Sequence, residues 1–158
     1  MTSTAQSLDL LVGAFVDELA RGGVRHACVC PGSRSTPLAL KLAEHGCVRL
    51  WTHLDERSAA FFALGLARAR REPVVLLATS GTAATNFFPA VVEARYGRVP
   101  LVVVTADRPH ELRDIGAPQT IDQLRLYGEH VKWFFDLAEP EASLEQVRHA
   151  RVIAVRAV

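Results

Sequence analysis

The residues able to do chemistry in this sequence sit in short polar runs between apolar ones. Trp51-Thr52-His53-Leu54-Asp55-Glu56-Arg57 sets a carboxylate pair where an apolar strand gives way to an alanine-rich helix. With Asp55 as N-cap, its side chain can accept from the first free backbone N–H groups, and Glu56 becomes the first helical residue at the sheet edge. A glutamate held among Leu, Phe and Ala has its charged form disfavoured, so its pKa is expected to rise. A carboxyl near neutrality can share a proton with a heterocyclic nitrogen, which an ordinary exposed one does poorly. The same seven residues also fit a plain helix start, in which Asp55 caps and Glu56 complements the helix dipole.

Three further runs carry polar chemistry. Pro31-Gly32-Ser33-Arg34-Ser35 places a glycine, two hydroxyls and a guanidinium before a helix, a ready anion site. It is not a phosphate loop of the Gly-Lys-Ser/Thr kind, and no Gly-x-Gly-x-x-Gly fingerprint exists. A tight turn without a ligand explains Pro31-Gly32 equally well, but not Arg34. Thr79-Ser80-Gly81-Thr82 follows an apolar run, and Ala106-Asp107-Arg108-Pro109 follows another. Arg108 could supply a second guanidinium for a substrate bearing carboxylates, or form a structural turn with Asp107. The histidines, among them His26, His53, His110, His130 and His149, show no ligand spacing on one element, so no metal ligand is assigned. Ser80 lacks the glycine-elbow pattern of a hydrolase nucleophile.

The elements that must position these runs are legible from periodicity. Leu8, Leu11, Val12, Phe15, Val16 and Leu19 recur at helical spacing, with Ser7 as N-cap and Gly22-Gly23 as stop. Ala27 to Cys30 reads as a strand, followed by a helix capped by Thr36 with Pro37 at its first position and closed at Gly46. Val48 to Trp51 is the second strand, Glu56 to about Arg71 the third helix, and Val74 to Ala78 a buried strand. Pro89 delays or kinks the next helix, which ends at Gly97. Leu101 to Thr105 is the fourth strand, residues 110–129 hold short helical turns, Val131 to Leu137 a fifth strand, and Ser143 to Val158 a last helix. This alternation predicts an α/β fold, a doubly wound, mostly parallel sheet of five to six strands with helices on both faces. Ligands of such sheets bind beyond the carboxyl ends of the strands, where all four polar runs fall.

Composition narrows the class. The 158 residues are 49% hydrophobic and 22% charged, which bounds one globular domain. A net charge of +1 offers no basic surplus for nucleic acid. No apolar run reaches membrane-spanning length, and residues 1–7 do not resemble a signal peptide. Cys28, Cys30 and Cys47 read as free thiols of a reducing cytoplasm, with Cys28 and Cys30 expected on opposite faces of their strand.

Cys30-Pro31-Gly32-Ser33-Arg34-Ser35, Asp55-Glu56-Arg57-Ser58, Ala63-Leu64-Gly65-Leu66-Ala67, Thr79-Ser80-Gly81-Thr82-Ala83 and Thr105-Ala106-Asp107-Arg108-Pro109 occur in one order at consistent intervals. From Leu8 to Leu137 the chain resembles the N-terminal, pyrimidine-binding domain of thiamine-diphosphate enzymes, and more narrowly their menaquinone-biosynthesis branch. Thr82-Ala83 stands where the wider family has Pro-Gly, as suits that branch. Pro118 stands where asparagine is general, which removes one side-chain amide.

The resemblance implies roles position by position. Glu56 matches the glutamate that hydrogen-bonds N1′ of the cofactor's aminopyrimidine, with Thr79 and Gly81 as further cofactor contacts. Ser33, Arg34, Arg108 and Gln119 match substrate-binding positions for isochorismate and 2-oxoglutarate. The implied reaction decarboxylates 2-oxoglutarate and adds the resulting acyl unit to isochorismate, with thiamine diphosphate and Mg²⁺ (or manganese) as cofactors. The Gly-Asp-Gly…Asn motif that holds the metal and diphosphate is absent from these residues. Residues 1–158 are therefore expected to be one domain of a cytoplasmic homo-oligomer, inactive without its central and diphosphate-binding domains. An acetolactate-synthase-like carboligase domain, or a non-catalytic module binding a carboxylate or a partner, are the rival readings.

Overall fold

The computed structural model describes residues 4–140 and 143–158. Four strands form one parallel sheet: β1 (His26–Val29), β2 (Arg49–Thr52), β3 (Val74–Ala78) and β4 (Leu101–Thr105), in the order β2-β1-β3-β4. Helices α1 (Thr4–Arg21), α2 (Thr36–Glu44), α3 (Glu56–Arg70), α4 (Thr82–Thr85), α5 (Phe88–Gly97) and α6 (Leu144–Ala157) fill the intervals. The break between α4 and α5 falls at Phe87, with Pro89 in the first turn of α5, where a missing N–H does no harm.

Strand parity divides the interior into two cores. Ala27, Val29, Val75, Leu77 and Val102 face α1 and α6, meeting Leu11, Phe15, Leu19, Ala150 and Ile153. Cys28, Val74, Leu76 and Ala78 face α3 and α5, meeting Ala59, Ala60, Ala63, Ala67, Phe87 and Ala90. Four of the five alanines of α3 are fully buried, so the helix lies close against the sheet. Gly65, by contrast, is on the outer surface. Both faces of the sheet are covered, which is the doubly wound arrangement.

Several expectations are corrected. The sheet has four strands among the described residues, not five to six. Val131 to Leu137 takes no strand pairing. Instead Trp133 packs into the α1–α6 core while Val131 packs into the α3–α5 core. Those two side chains are half-buried without a ladder, and among the described residues the outer edge of β4 stays unpaired across a groove lined by both segments. Helix α1 begins at Thr4, so Ser7 is a buried residue of its second turn and not a cap. The cap of α2 is Ser35 and not Thr36. Cys28 and Cys30 do not face opposite sides. Positions two apart share a face, and both thiols lie in the α3–α5 core.

The order β2-β1-β3-β4 reverses between β1 and β3, so a crevice opens at their carboxyl ends. There Gly32 meets Thr79 so closely that a Cβ on Gly32 would stand 2.5 Å from the Thr79 Cβ. Thr79 is itself buried and has little room to yield. Gly32→Ala is therefore expected to cost about 1–3 kcal/mol by overpacking. At this chain length each kcal/mol corresponds to roughly 2–4 °C in Tm. Thermal unfolding of the variant checks this, and an unchanged Tm would mean that the two loops separate freely.

Candidate functional site

Because every strand is parallel, the loops after β1, β2, β3 and β4 all leave from one edge of the sheet. At the β2 flank, Asp55 sits in extended backbone (φ −111°, ψ 124°) and its Oδ1 accepts the Ser58 N–H at 2.8 Å. Hydrogen bonds from the Ser58 side chain and backbone hold the Asp55 carboxyl below the usual carboxylate range. Asp55 alone therefore satisfies the helix start. Glu56, the first residue of α3, forms no hydrogen bond or ion pair among the described residues. It is half-buried, so the apolar enclosure expected from its neighbours is only partly present, and Leu54 beside it is 96% exposed.

Glu56 stands close to the β1 loop. The Cys30 thiol is pushed up to about 12, first by burial and then by the negative charges of Glu56 and Asp55. In that loop, the Gly32 carbonyl accepts three hydrogen bonds: Ser35 N–H at 3.1 Å, Ser35 Oγ at 3.0 Å and Thr36 Oγ1 at 3.1 Å. These bonds fold Pro31 to Ser35 into a tight turn at the start of α2. They leave Ser33 exposed and Arg34 half-buried, and among the described residues Arg34 has no ion-pair partner. The Thr79 hydroxyl, across from Gly32, is buried and unpartnered among the described residues.

The β3 and β4 loops are joined by residues from 118 to 123. Gly81 has φ +80° and ψ −145°, a conformation open essentially to glycine alone, and a Cβ there would lie 3.0 Å from the Gln119 backbone. Ser80 Oγ donates to the Gln119 carbonyl at 2.8 Å, and Gln119 itself has φ +54°. The Gln123 side chain accepts from Gly81 N–H at 2.8 Å and donates to Ala106 O at 3.0 Å.

Arg108 is not consumed by Asp107. One carboxylate oxygen of Asp107 accepts the Arg108 backbone N–H at 2.7 Å, and the other takes Arg113 at 3.1 Å. Burial pushes the Asp107 carboxyl up, and Arg113 pulls it part of the way back. The Arg108 guanidinium donates one bond to the Pro118 carbonyl at 2.6 Å, while its buried Nε has no partner among the described residues. Pro118, which lacks the expected side-chain amide, thus contributes through its carbonyl.

Arg34 and Arg108 meet in one groove of about 1520 Å³, together with Thr105, Asp107, Arg113 and Gln123. That volume exceeds the roughly 300–1,000 Å³ of a small-ligand pocket, because most of it runs along the open edge of β4. Glu56, Ser33, Thr79, Gly81 and Gln119 do not line it. Glu56 follows β2 and Arg108 follows β4, three strand spacings apart, or roughly 14–15 Å between the chain paths. The structure therefore lets Arg34 and Arg108 line one open groove, lays Gln119 against Gly81, and sets Glu56 at the opposite flank. Sequence reasoning missed Gln123, Arg113 and the Cys30 thiol under Glu56. No periodicity marks a glutamine or an arginine in an irregular segment, and the Arg113 partners, Asp107 and Asp136, are distant in the chain. Among the described residues no three His, Cys, Asp or Glu side chains come together as a metal site. No helix among them is long and apolar enough to cross a membrane.

Comparison with known proteins follows the same residues. Residues 11–126 match the family described as thiamine pyrophosphate enzyme, N-terminal TPP binding domain. A 2-succinyl-5-enolpyruvyl-6-hydroxy-3-cyclohexene-1-carboxylate synthase from Geobacillus kaustophilus is 62% identical over 98% of this chain and 27% of its own length. Synthases of the same name from Listeria innocua and Bacillus cytotoxicus are 59% and 55% identical over the whole chain, again 27% of their own length. The chain thus spans about a quarter of these curated relatives. With its four loops at one carboxyl edge and the family match across most of its length, this chain belongs to the thiamine pyrophosphate enzymes, as their N-terminal TPP binding domain.

Proposed function

We propose that residues 1–158 supply the activating carboxylate and part of the substrate site of a thiamine-diphosphate-dependent transferase that joins a unit derived from 2-oxoglutarate to isochorismate. The names of the relatives, at 55–62% identity, support this choice of reaction. One observation carries the catalytic part. Asp55 caps α3, so Glu56 is released from any structural duty and its carboxylate stands unpartnered at the carboxyl edge.

The residues present suit thiamine diphosphate. Glu56 would hold a proton shared with N1′ of the aminopyrimidine, and the unpartnered Thr79 hydroxyl is the further polar group free for it. Gly81 would act through the loop, since its N–H goes to Gln123 and its open side is filled by the Gln119 backbone. When bound, thiamine diphosphate supplies the electron sink a 2-oxo acid needs to lose CO₂ and pass on its acyl unit. Ser33, Arg34, Arg108 and Gln119 bind and orient the substrates. Two guanidiniums in one groove favour substrates with carboxylates, and they disfavour an acetolactate-synthase-like activity. The Mg²⁺ and diphosphate would be held by polypeptide outside these residues, because no Gly-Asp-Gly…Asn motif lies within them. The exposed Leu54 beside Glu56, with exposed Phe61 and Phe62 further along α3, supports a second polypeptide on this flank, in a homo-oligomer. Free Cys28, Cys30 and Cys47 support a cytoplasmic setting.

Two experiments test the reading. In the full-length protein, Glu56→Gln is expected to lower 2-oxoglutarate decarboxylation by several orders of magnitude, since the amide cannot share the proton as the carboxylate does. Residues 1–158 alone should show no turnover. Near-normal activity of the variant, or turnover by the isolated chain, would sink the assignment.

Arg34→Ala and Arg108→Ala address the substrate side. Charge-assisted hydrogen bonds to a carboxylate are worth roughly 1.5–3 kcal/mol each. Steady-state kinetics should therefore give KM increases of about tenfold or more for the carboxylate substrates, with thiamine diphosphate affinity retained. Collapse of cofactor affinity with unchanged substrate KM would mean that the two roles are misassigned.

A further inference from the structure

Residues 119–127 form a strap along the β3 loop, with one attachment every four residues. The Gln119 carbonyl takes the Ser80 hydroxyl, the Gln123 amide takes Gly81 N–H, and the Tyr127 hydroxyl donates to Ala84 O at 2.8 Å. Among the three side chains making these bonds, only Gln123 also reaches the β4 loop, where its Nε2 donates to Ala106 O at 3.0 Å and to Thr105 Oγ1 at 3.3 Å. It is 7% exposed, and its partners lie 17, 18 and 42 residues away in the chain. Its amide is thus a three-way junction of the β3 loop, the β4 loop and the strap.

We propose that Gln123 is a positioning residue that fixes Gln119 for the substrate by locking the strap to both loops. This rests on the proposed substrate role of Gln119. The chemistry calls for an amide. One head must accept from the Gly81 N–H and donate to the Ala106 carbonyl, and glutamine does both with one planar group. Glutamate keeps the acceptor but turns an oxygen toward the Ala106 carbonyl. Methionine, of similar length, loses both bonds and leaves a buried N–H and a buried C=O unpaired. Once that junction is loosened, the left-handed Gln119 backbone (φ +54°) keeps the Ser80 hydroxyl and the Arg108 bond to the Pro118 carbonyl, but loses the side-chain lock that ties the strap to both loops at once.

A double-mutant cycle in the full-length protein tests this. Gln123→Glu and Gln123→Met should each raise the KM of the carboxylate substrates about tenfold, while thiamine diphosphate affinity, measured by calorimetric titration, changes less than twofold. In a Gln119→Ala background the same substitutions should add less than a further twofold, because their effect passes through Gln119. Additive effects on KM would overturn the inference while leaving the proposed function intact. Substrate kinetics untouched by Gln119→Ala would overturn both the Gln119 assignment and this inference. Should the Gln123 variants fail to fold, hydrogen exchange on the unmodified protein decides. A protected Gly81 amide supports the junction, and exchange at the rate of a free loop overturns it.

Discussion

The close approach of Gly32 to Thr79 is the constraint on which the carboxyl edge depends. These residues leave adjacent strands, β1 and β3, where the strand order reverses, and no side chain fits between them. Drawing the two loops together does two things. It turns the Gly32 carbonyl into the start of α2, where Ser35 and Thr36 bind it, and so throws Arg34 outward into the groove. It also closes over the Thr79 hydroxyl and sends the chain through the glycine-only conformation at Gly81, against which Gln119 is laid. Arg34 and Gln119 thus both belong to loops that meet at one contact, Gly32 against the Thr79 side chain.

The flanks of that edge divide the chemistry. Glu56 belongs to the β2 side and Arg108 to the β4 side, with the Gly32–Thr79 contact between them. The strand paths from which they leave are roughly 14–15 Å apart. That spacing suits a cofactor and a substrate bound side by side. The local electrostatics agree with the division. On one flank, Asp55 and Glu56 place two carboxylates over a thiol that burial keeps protonated, and no cation neutralises Glu56 among the described residues. On the other, Arg113 neutralises Asp107, which frees Arg108. Both acidic neighbours are thus committed, Asp55 to the Ser58 N–H and Asp107 to Arg113.

The sequence was informative where a periodic or local rule applied. Helical spacing, buried apolar runs and Pro89 located the helices and strands, and Asp55 between an apolar strand and an alanine-rich run marked the α3 cap. It failed where tertiary packing decided between local options. Ser7 looks like a cap, yet Thr4 to Gln6 continue the same helix. Thr36 and Ser35 are both capping residues, and the turn on Gly32 chose Ser35. Val131 to Leu137 has strand composition, but Trp133 and Val131 anchor it to different cores and hold it off β4. The parity of Cys28 and Cys30 was available from a period of two and was misread. Gln123 carries no such signature at all, since its meaning comes from partners as far as 42 residues away.

Glu56 shows how a site can be placed without being finished. Its position is fixed from beneath by the cap at Asp55 and by the buried alanines that hold α3 against the sheet. Its surroundings are not: Leu54 is 96% exposed, and Phe61 and Phe62 at 43% and 40% turn apolar surface outward on the same helix. A carboxyl shares a proton with a ring nitrogen only if water is kept from competing for it, and the cost of charge rises steeply as water leaves. Leu54, beside Glu56, cannot supply that dryness while it faces solvent. An apolar surface closing on this flank would supply it, and the same closure would bury the hydrophobic area that Leu54, Phe61 and Phe62 expose. Shielding the carboxylate and covering that area would draw on one free energy.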